Sequence, residues 1–80
     1  MGWYVYILEC ADTTYYTGIT TDIERRIAEH AAGTGAKYTK GRGPLTLIYQ
    51  EEHVDRSSAS KREIEIKALS KAQKLVLISC

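Results

Sequence analysis

Cysteine is scarce in this chain: Cys10 and Cys80 are the only two. A disulfide framework needs more cysteines at closer spacing, so none is expected. With no secretion signal either, a reducing, cytoplasmic location is the expectation. No apolar run approaches the roughly 18 residues of a membrane span, so no membrane partner is expected. No cysteine–histidine cluster has zinc spacing, and there is no Walker loop, dinucleotide glycine loop or serine elbow. Excess charge is also missing. The formal net charge is +1, which sets up no strong global field for a nucleic acid.

What is there suits one small domain over residues 1–80. Hydrophobic residues make up 44% and charged residues 26%, a composition that folds rather than stays disordered. Charge is unevenly spread. Residues 1–20 carry Glu9 and Asp12 and no basic side chain. Residues 21–44 carry Arg25, Arg26, Lys37, Lys40 and Arg42 against Asp22, Glu24 and Glu29. A basic patch is expected there, with Arg25, Lys37, Lys40 and Arg42 as a phosphate-binding rim.

Residues 3–8, Trp-Tyr-Val-Tyr-Ile-Leu, are aromatic and β-branched and predict a strand. Asp12 predicts a turn through a bond to its own backbone. Tyr15 to Gly18 resumes the extended pattern, giving an antiparallel hairpin. Thr21-Asp22-Ile23-Glu24 reads as a capping box that opens a helix with Thr21 as its cap. Ile23 and Ile27 share a face, Arg26 and His30 share another, and Gly33 and Gly35 end the helix near residue 32. A glycine- and lysine-rich loop follows over 33–44. Leu45 to Tyr49 predicts a third strand, and Glu51 to Asp55 reads as a polar connector. A second helix is predicted after Asp55 or Ser57, carrying Ala59, Glu63 and Ile66 on one side. Ser70-Lys71-Ala72-Gln73 is a second capping box and predicts a short third helix. The order is β-β-α-β-α-α, an α+β arrangement with a small antiparallel sheet flanked by helices. Strand order stays open.

Several residues suit phosphate chemistry. A strand tyrosine is ordinarily a packing residue. Tyr6 and Tyr16, however, sit on the two arms of one hairpin, and a phenol can position water or bind phosphate. Gly18 is readable as a strand end or bulge, or as a close backbone approach to a substrate. Arg26 suits phosphate oxygens through its guanidinium fork. His30 is suited to acid–base work, to phosphate binding, or to a place at the core edge. Glu63 shares the apolar side of its helix, where a carboxylate needs a partner. Magnesium fits, because it keeps several waters and takes one or two carboxylates. Cys10 reads as a small buried hydrophobe.

Tyr4-Val5-Tyr6, Tyr16-Thr17-Gly18, Arg26, His30 and Glu63 together resemble the GIY-YIG nuclease pattern. Tyr4 and Val5 stand where the first motif has glycine and isoleucine, and Thr17 replaces the isoleucine of the second. The stretches Tyr16 to Arg26, Gly35 to Gly41 and Lys61 to Lys67 resemble the short stand-alone bacterial members, the UPF0213 family. The resemblance runs over nearly the whole chain. It implies a three-stranded antiparallel sheet flanked by helices and a cut that leaves 5′-phosphate and 3′-hydroxyl ends. It implies one Mg2+ (or Mn2+) held by Glu63, Tyr6 as base or base-assisting hydroxyl, and Tyr16 positioning water or a phosphate oxygen. Gly18 would keep the backbone clear, Arg26 would stabilise the pentacovalent phosphate, and His30 would assist proton transfer or bind phosphate.

The leading expectation is a metal-dependent DNA endonuclease acting in repair or recombination; the choice between DNA and RNA stays open, with DNA favoured. The alternatives are a nucleic-acid-binding module with weak or no turnover, and a protein-interaction domain. A protein partner that confers target choice belongs to the first expectation, because the chain has few basic residues for backbone contacts.

Overall fold

The computed structural model describes residues 2–35, 41 and 43–79. Three strands and three helices follow in order: β1 (Trp3–Glu9), β2 (Tyr15–Thr20), α1 (Ile23–Ala31), β3 (Thr46–His53), α2 (Arg56–Lys67) and α3 (Lys71–Ser79). The sheet is antiparallel with order β2-β1-β3. β1 is therefore central, and its four middle residues, Val5 to Leu8, are all buried. A central strand covered on both faces needs a continuous apolar run, which this segment supplies.

Side chains alternate across the sheet. On one face Val5 and Ile7 join Ala59 and Ile66 of α2 in the core, with Trp3, Tyr15, Ile19, Ile48, Leu77 and Ile78 packed around them. Tyr6 and Leu8 point to the other face. There Tyr6 meets His30 of α1. One sheet thus separates an apolar core under α2 and α3 from a polar-aromatic layer under α1.

The hairpin turns where Asp12 Oδ1 accepts from the Thr14 amide at 3.2 Å and from the Thr14 hydroxyl at 2.6 Å. Thr13 takes φ 66° there. Lys71 reaches this turn from α3, donating to the Thr13 carbonyl at 2.9 Å.

The helix starts differ from the sequence reading in one place. Asp22, not Thr21, caps α1, and its side chain accepts from the Arg25 amide. A carboxylate at the helix N-terminus also meets the positive end of the helix dipole. Asp55 caps α2 in the same way. The second capping box forms as a reciprocal pair: Gln73 N donates to Ser70 Oγ at 3.2 Å, and Ser70 N donates to Gln73 Oε1 at 2.9 Å.

The third strand is longer than its composition suggests. Glu51, Glu52 and His53 belong to β3, not to a connector, and pair with Val5, Tyr4 and Trp3. The reason lies in α2. Glu51 accepts from Tyr49 Oη at 2.5 Å and from Arg62 Nε at 3.2 Å. His53 bridges Glu51 at 2.5 Å and Ser58 at 2.6 Å. Burial pushes the Glu51 carboxyl upward, but its bonds to Tyr49, His53 and Arg62 outweigh this and hold it below the usual range. This network makes polar residues compatible with a strand. A register shift between Ile7 and Leu8 leaves Ile48 as the extra residue of a bulge in β3.

Candidate functional site

The layer under α1 is organised around the Tyr6 hydroxyl. Tyr6 is 1% exposed and His30 2%. The two are joined through Tyr6 Oη and His30 Nε2 at 2.9 Å. The Arg26 guanidinium, one turn earlier on α1, acts on the Tyr6 hydroxyl electrostatically. Helical spacing makes this possible, since Arg26 and His30 lie four residues apart and share a face. Arg26 is itself held by Glu29 at 3.1 Å.

The hairpin register places the other members. Tyr6 lies opposite Gly18, and Leu8 opposite Tyr16, so Tyr6, Tyr16 and Gly18 share one face. The ring centroids of Tyr6 and Tyr16 are 6.3 Å apart, and those of Tyr16 and His30 are 5.1 Å apart. Gly18 is neither a strand end nor a bulge. It lies inside β2, and a Cβ there would come within 2.5 Å of Tyr6 Oη and 3.1 Å of Tyr16 Cε2. Its missing side chain is the space the tyrosine hydroxyl occupies.

Glu63 reaches this region from α2, and its charge acts on Tyr6. Its side chain is 22% exposed and pairs with Lys67 Nζ at 3.4 Å. Burial is the main cause that pushes Tyr6 up to about 12, with Tyr16 and Glu63 adding to the rise and Arg26 opposing it. Tyr6 is therefore a neutral hydroxyl at physiological pH. His30 is lowered from its ordinary value, first by burial and then by the Arg26 charge, so its neutral imidazole is favoured. Arg26 is raised, chiefly by its interaction with Tyr6.

Two tiers result. Tyr6 and His30 form a recessed pair, while Arg26 and Glu63, with side chains 31% and 22% exposed, stand nearer to solvent, and Tyr16 is half-buried. The arrangement combines a fixed cation, two phenols, a neutral imidazole and one carboxylate. Among the described residues no group of three or more histidine, cysteine or acidic side chains is placed to hold a metal ion. A single half-buried carboxylate does not make a closed protein cage. It does fit a hydrated magnesium ion that shares its remaining positions between water and phosphate.

Arg25 is not part of this cluster. It is exposed and lines a separate cleft with Trp3, Asp22, Val54 and Asp55. Lys37, Lys40 and Arg42 lie outside the described residues. Three contributors were not picked out from sequence. Glu29 steadies Arg26. Gly35 packs on His30, where a Cβ would come within 2.6 Å of Nδ1. Lys67 pairs with Glu63; its spacing of four residues was the one available signal.

A family model described as the GIY-YIG catalytic domain matches residues 2–75. The chain belongs to the GIY-YIG family. It is 58% identical over 74 residues to a UPF0213 protein of Halobacterium salinarum, covering 92% of this chain and 96% of that one. It is 56% identical over 75 residues to a UPF0213 protein of Staphylococcus haemolyticus, covering 94% and 92%. The solution NMR structure of a UPF0213 protein from Bacillus halodurans matches with a TM-score of 0.64 at 51% identity, covering 99% of this chain and 84% of that one. The solution NMR structure of an E. faecalis protein matches with a TM-score of 0.69 at 41% identity, with the same coverage. GIY-YIG membership, within the UPF0213 group, puts the chain in a nuclease-related superfamily with a role tied to nucleic acid. No helix among the described residues is long and apolar enough to cross a membrane.

Proposed function

We propose that this GIY-YIG domain binds a nucleic-acid backbone phosphate at the Tyr16–Arg26–Glu63 surface and hydrolyses it slowly, with DNA as the first substrate to test. The observation that carries the reading is the Tyr6 hydroxyl, buried beneath Gly18, bonded to the His30 imidazole and under the charge of the Arg26 guanidinium. A bare structural tyrosine needs one partner at most; this one ties together a base, a cation and, through charge, a carboxylate.

In this reading Arg26 faces a non-bridging phosphate oxygen and offsets the charge that develops there. Tyr16 orients the attacking water. Water adds at phosphorus, the bond to the 3′ oxygen breaks, that oxygen takes a proton from solvent, and 5′-phosphate and 3′-hydroxyl ends result. Tyr6 and neutral His30 form a path by which the proton of that water is drawn inward. Glu63 would hold the Mg2+, which when bound supplies Lewis-acid stabilisation of the phosphate and leaving oxygen. Turnover is slow because Tyr6 is recessed, because its pKa of about 12 keeps it protonated, and because Glu63 already has a cationic partner.

The test is a panel of single-stranded, duplex and branched DNA, with matched RNA, assayed for cleavage in Mg2+ and Mn2+ and for binding across a salt series. The expected result is salt-dependent binding with slow, metal-dependent cleavage that is lost in Arg26→Ala. Binding without any cleavage would leave a binding module. Binding to none of the panel would overturn the nucleic-acid reading.

A further inference from the structure

We infer that Lys67 is a built-in competitor for the cation at Glu63, a displaceable counter-ion that keeps metal affinity low until phosphate arrives. The inference rests on the assignment of Glu63 as metal-holding residue and adds a regulator to it. Three observations converge. Glu63 lies on the side of α2 that carries the buried Ala59 and Ile66, and its charge reaches Tyr6. Lys67 follows at the next turn, and its Nζ sits 3.4 Å from Glu63 Oε2. The lysine side chain is 53% exposed while the glutamate is 22% exposed, so the ammonium is the more open of the two to water.

This asymmetry decides which partner leaves. Glutamate placed four residues before lysine is the favourable orientation on a helix, yet such part-exposed pairs are weak. The ammonium is therefore held weakly enough to swing away on its flexible stem. Its charge still opposes a divalent ion at the same oxygen, because both cannot occupy it. A phosphate restores the balance: it brings negative charge to the metal and a new acceptor for the released ammonium. Metal loading then depends on substrate, which suits a domain with one protein carboxylate rather than a complete cage.

The experiment measures Mn2+ binding to the full chain by water proton relaxation, without nucleic acid. Lys67→Gln keeps most of the stem and removes the charge, and Lys67→Arg restores it. Mn2+ affinity should rise about three- to tenfold in Lys67→Gln, while Lys67→Arg stays near wild type, as expected for one nearby charge at a part-exposed site. Lys61→Gln, with the same loss of net charge on the same helix, should change affinity less than about twofold. Glu63→Gln should abolish binding in every background. Unchanged or weaker affinity in Lys67→Gln, with binding still lost in Glu63→Gln, overturns the competitor role and leaves the metal assignment standing. Equal gains in Lys67→Gln and Lys61→Gln also overturn it, since net charge would then explain the effect. Binding that survives Glu63→Gln, or no binding in either wild type or Lys67→Gln, removes the metal assignment itself and this inference with it.

Discussion

Replacing Gly18 by alanine tests the central packing of the site with one methyl group. The new Cβ would lie 2.5 Å from Tyr6 Oη, 2.8 Å from Tyr6 Cζ and 3.1 Å from Tyr16 Cε2. Tyr6 has no room to yield at its present position, being 1% exposed. Its ring has to move away from β2, and the 2.9 Å bond to His30 breaks. Overpacking of this kind costs about 1–3 kcal/mol. Leaving buried polar partners unpaired adds about 1–3 kcal/mol. The stiffer unfolded chain returns roughly 0.4–1 kcal/mol. The expected net loss is about 1–6 kcal/mol, against a total stability on the order of 4–12 kcal/mol for a chain this long. Urea unfolding of wild type, Gly18→Ala, Tyr6→Phe and the double variant reads the effect directly. Removing the phenol oxygen takes away the shortest contact, so alanine at 18 should cost about 1 kcal/mol less in the Tyr6→Phe background. A Gly18→Ala protein within 0.5 kcal/mol of wild type would refute the reasoning. So would equal costs in the two backgrounds, because the hydroxyl would then not be the obstacle.

His30 is depressed in the folded state, so its contribution to stability is complete above the unfolded value of about 6.5 and is lost as pH falls below it; urea midpoints from pH 8 to 5 should decline, and His30→Gln should flatten that decline. Tyr6 is raised to about 12, so its contribution is complete below pH of about 10 and is lost between there and its folded pKa; ultraviolet titration should show late-ionising tyrosine, to which Tyr49 also contributes, and Tyr6→Phe should reduce it. Thr17 is 3% exposed, and its hydroxyl has no hydrogen-bond partner among the described residues; Thr17→Val keeps the shape and should stabilise the fold by about 1 kcal/mol in urea unfolding. Arg26→Ala should lower single-turnover cleavage roughly 100- to 1000-fold, the typical cost of losing one preorganised electrostatic contact, while leaving Mn2+ affinity close to wild type; a loss of both would mean that the variant is misfolded or that Arg26 supports Glu63.

Local chemistry made much of this molecule legible in advance. The run Trp3 to Leu8 is a strand because its residues are aromatic and β-branched, and the caps around residues 22, 55 and 70 are written in short polar side chains. The element order and the set Tyr6, Tyr16, Gly18, Arg26, His30 and Glu63 could be named from spacing and resemblance. What spacing along the chain does not contain is which atoms meet. That β1 is central follows from pairing on both of its edges, a non-local fact. The true end of β3 depends on Arg62 and Ser58 of α2, which reward Glu51 and His53 for staying extended. The purpose of Gly18 appears only when Tyr6 is placed opposite it across the hairpin. The sequence left Tyr6 between packing and chemistry and His30 between chemistry and the core edge; the tertiary fold buries both and leaves Arg26 and Glu63 nearer to water. Burial and register arise from contacts between segments far apart in the chain, and they alone set the pKa of Tyr6 and the depth of the site.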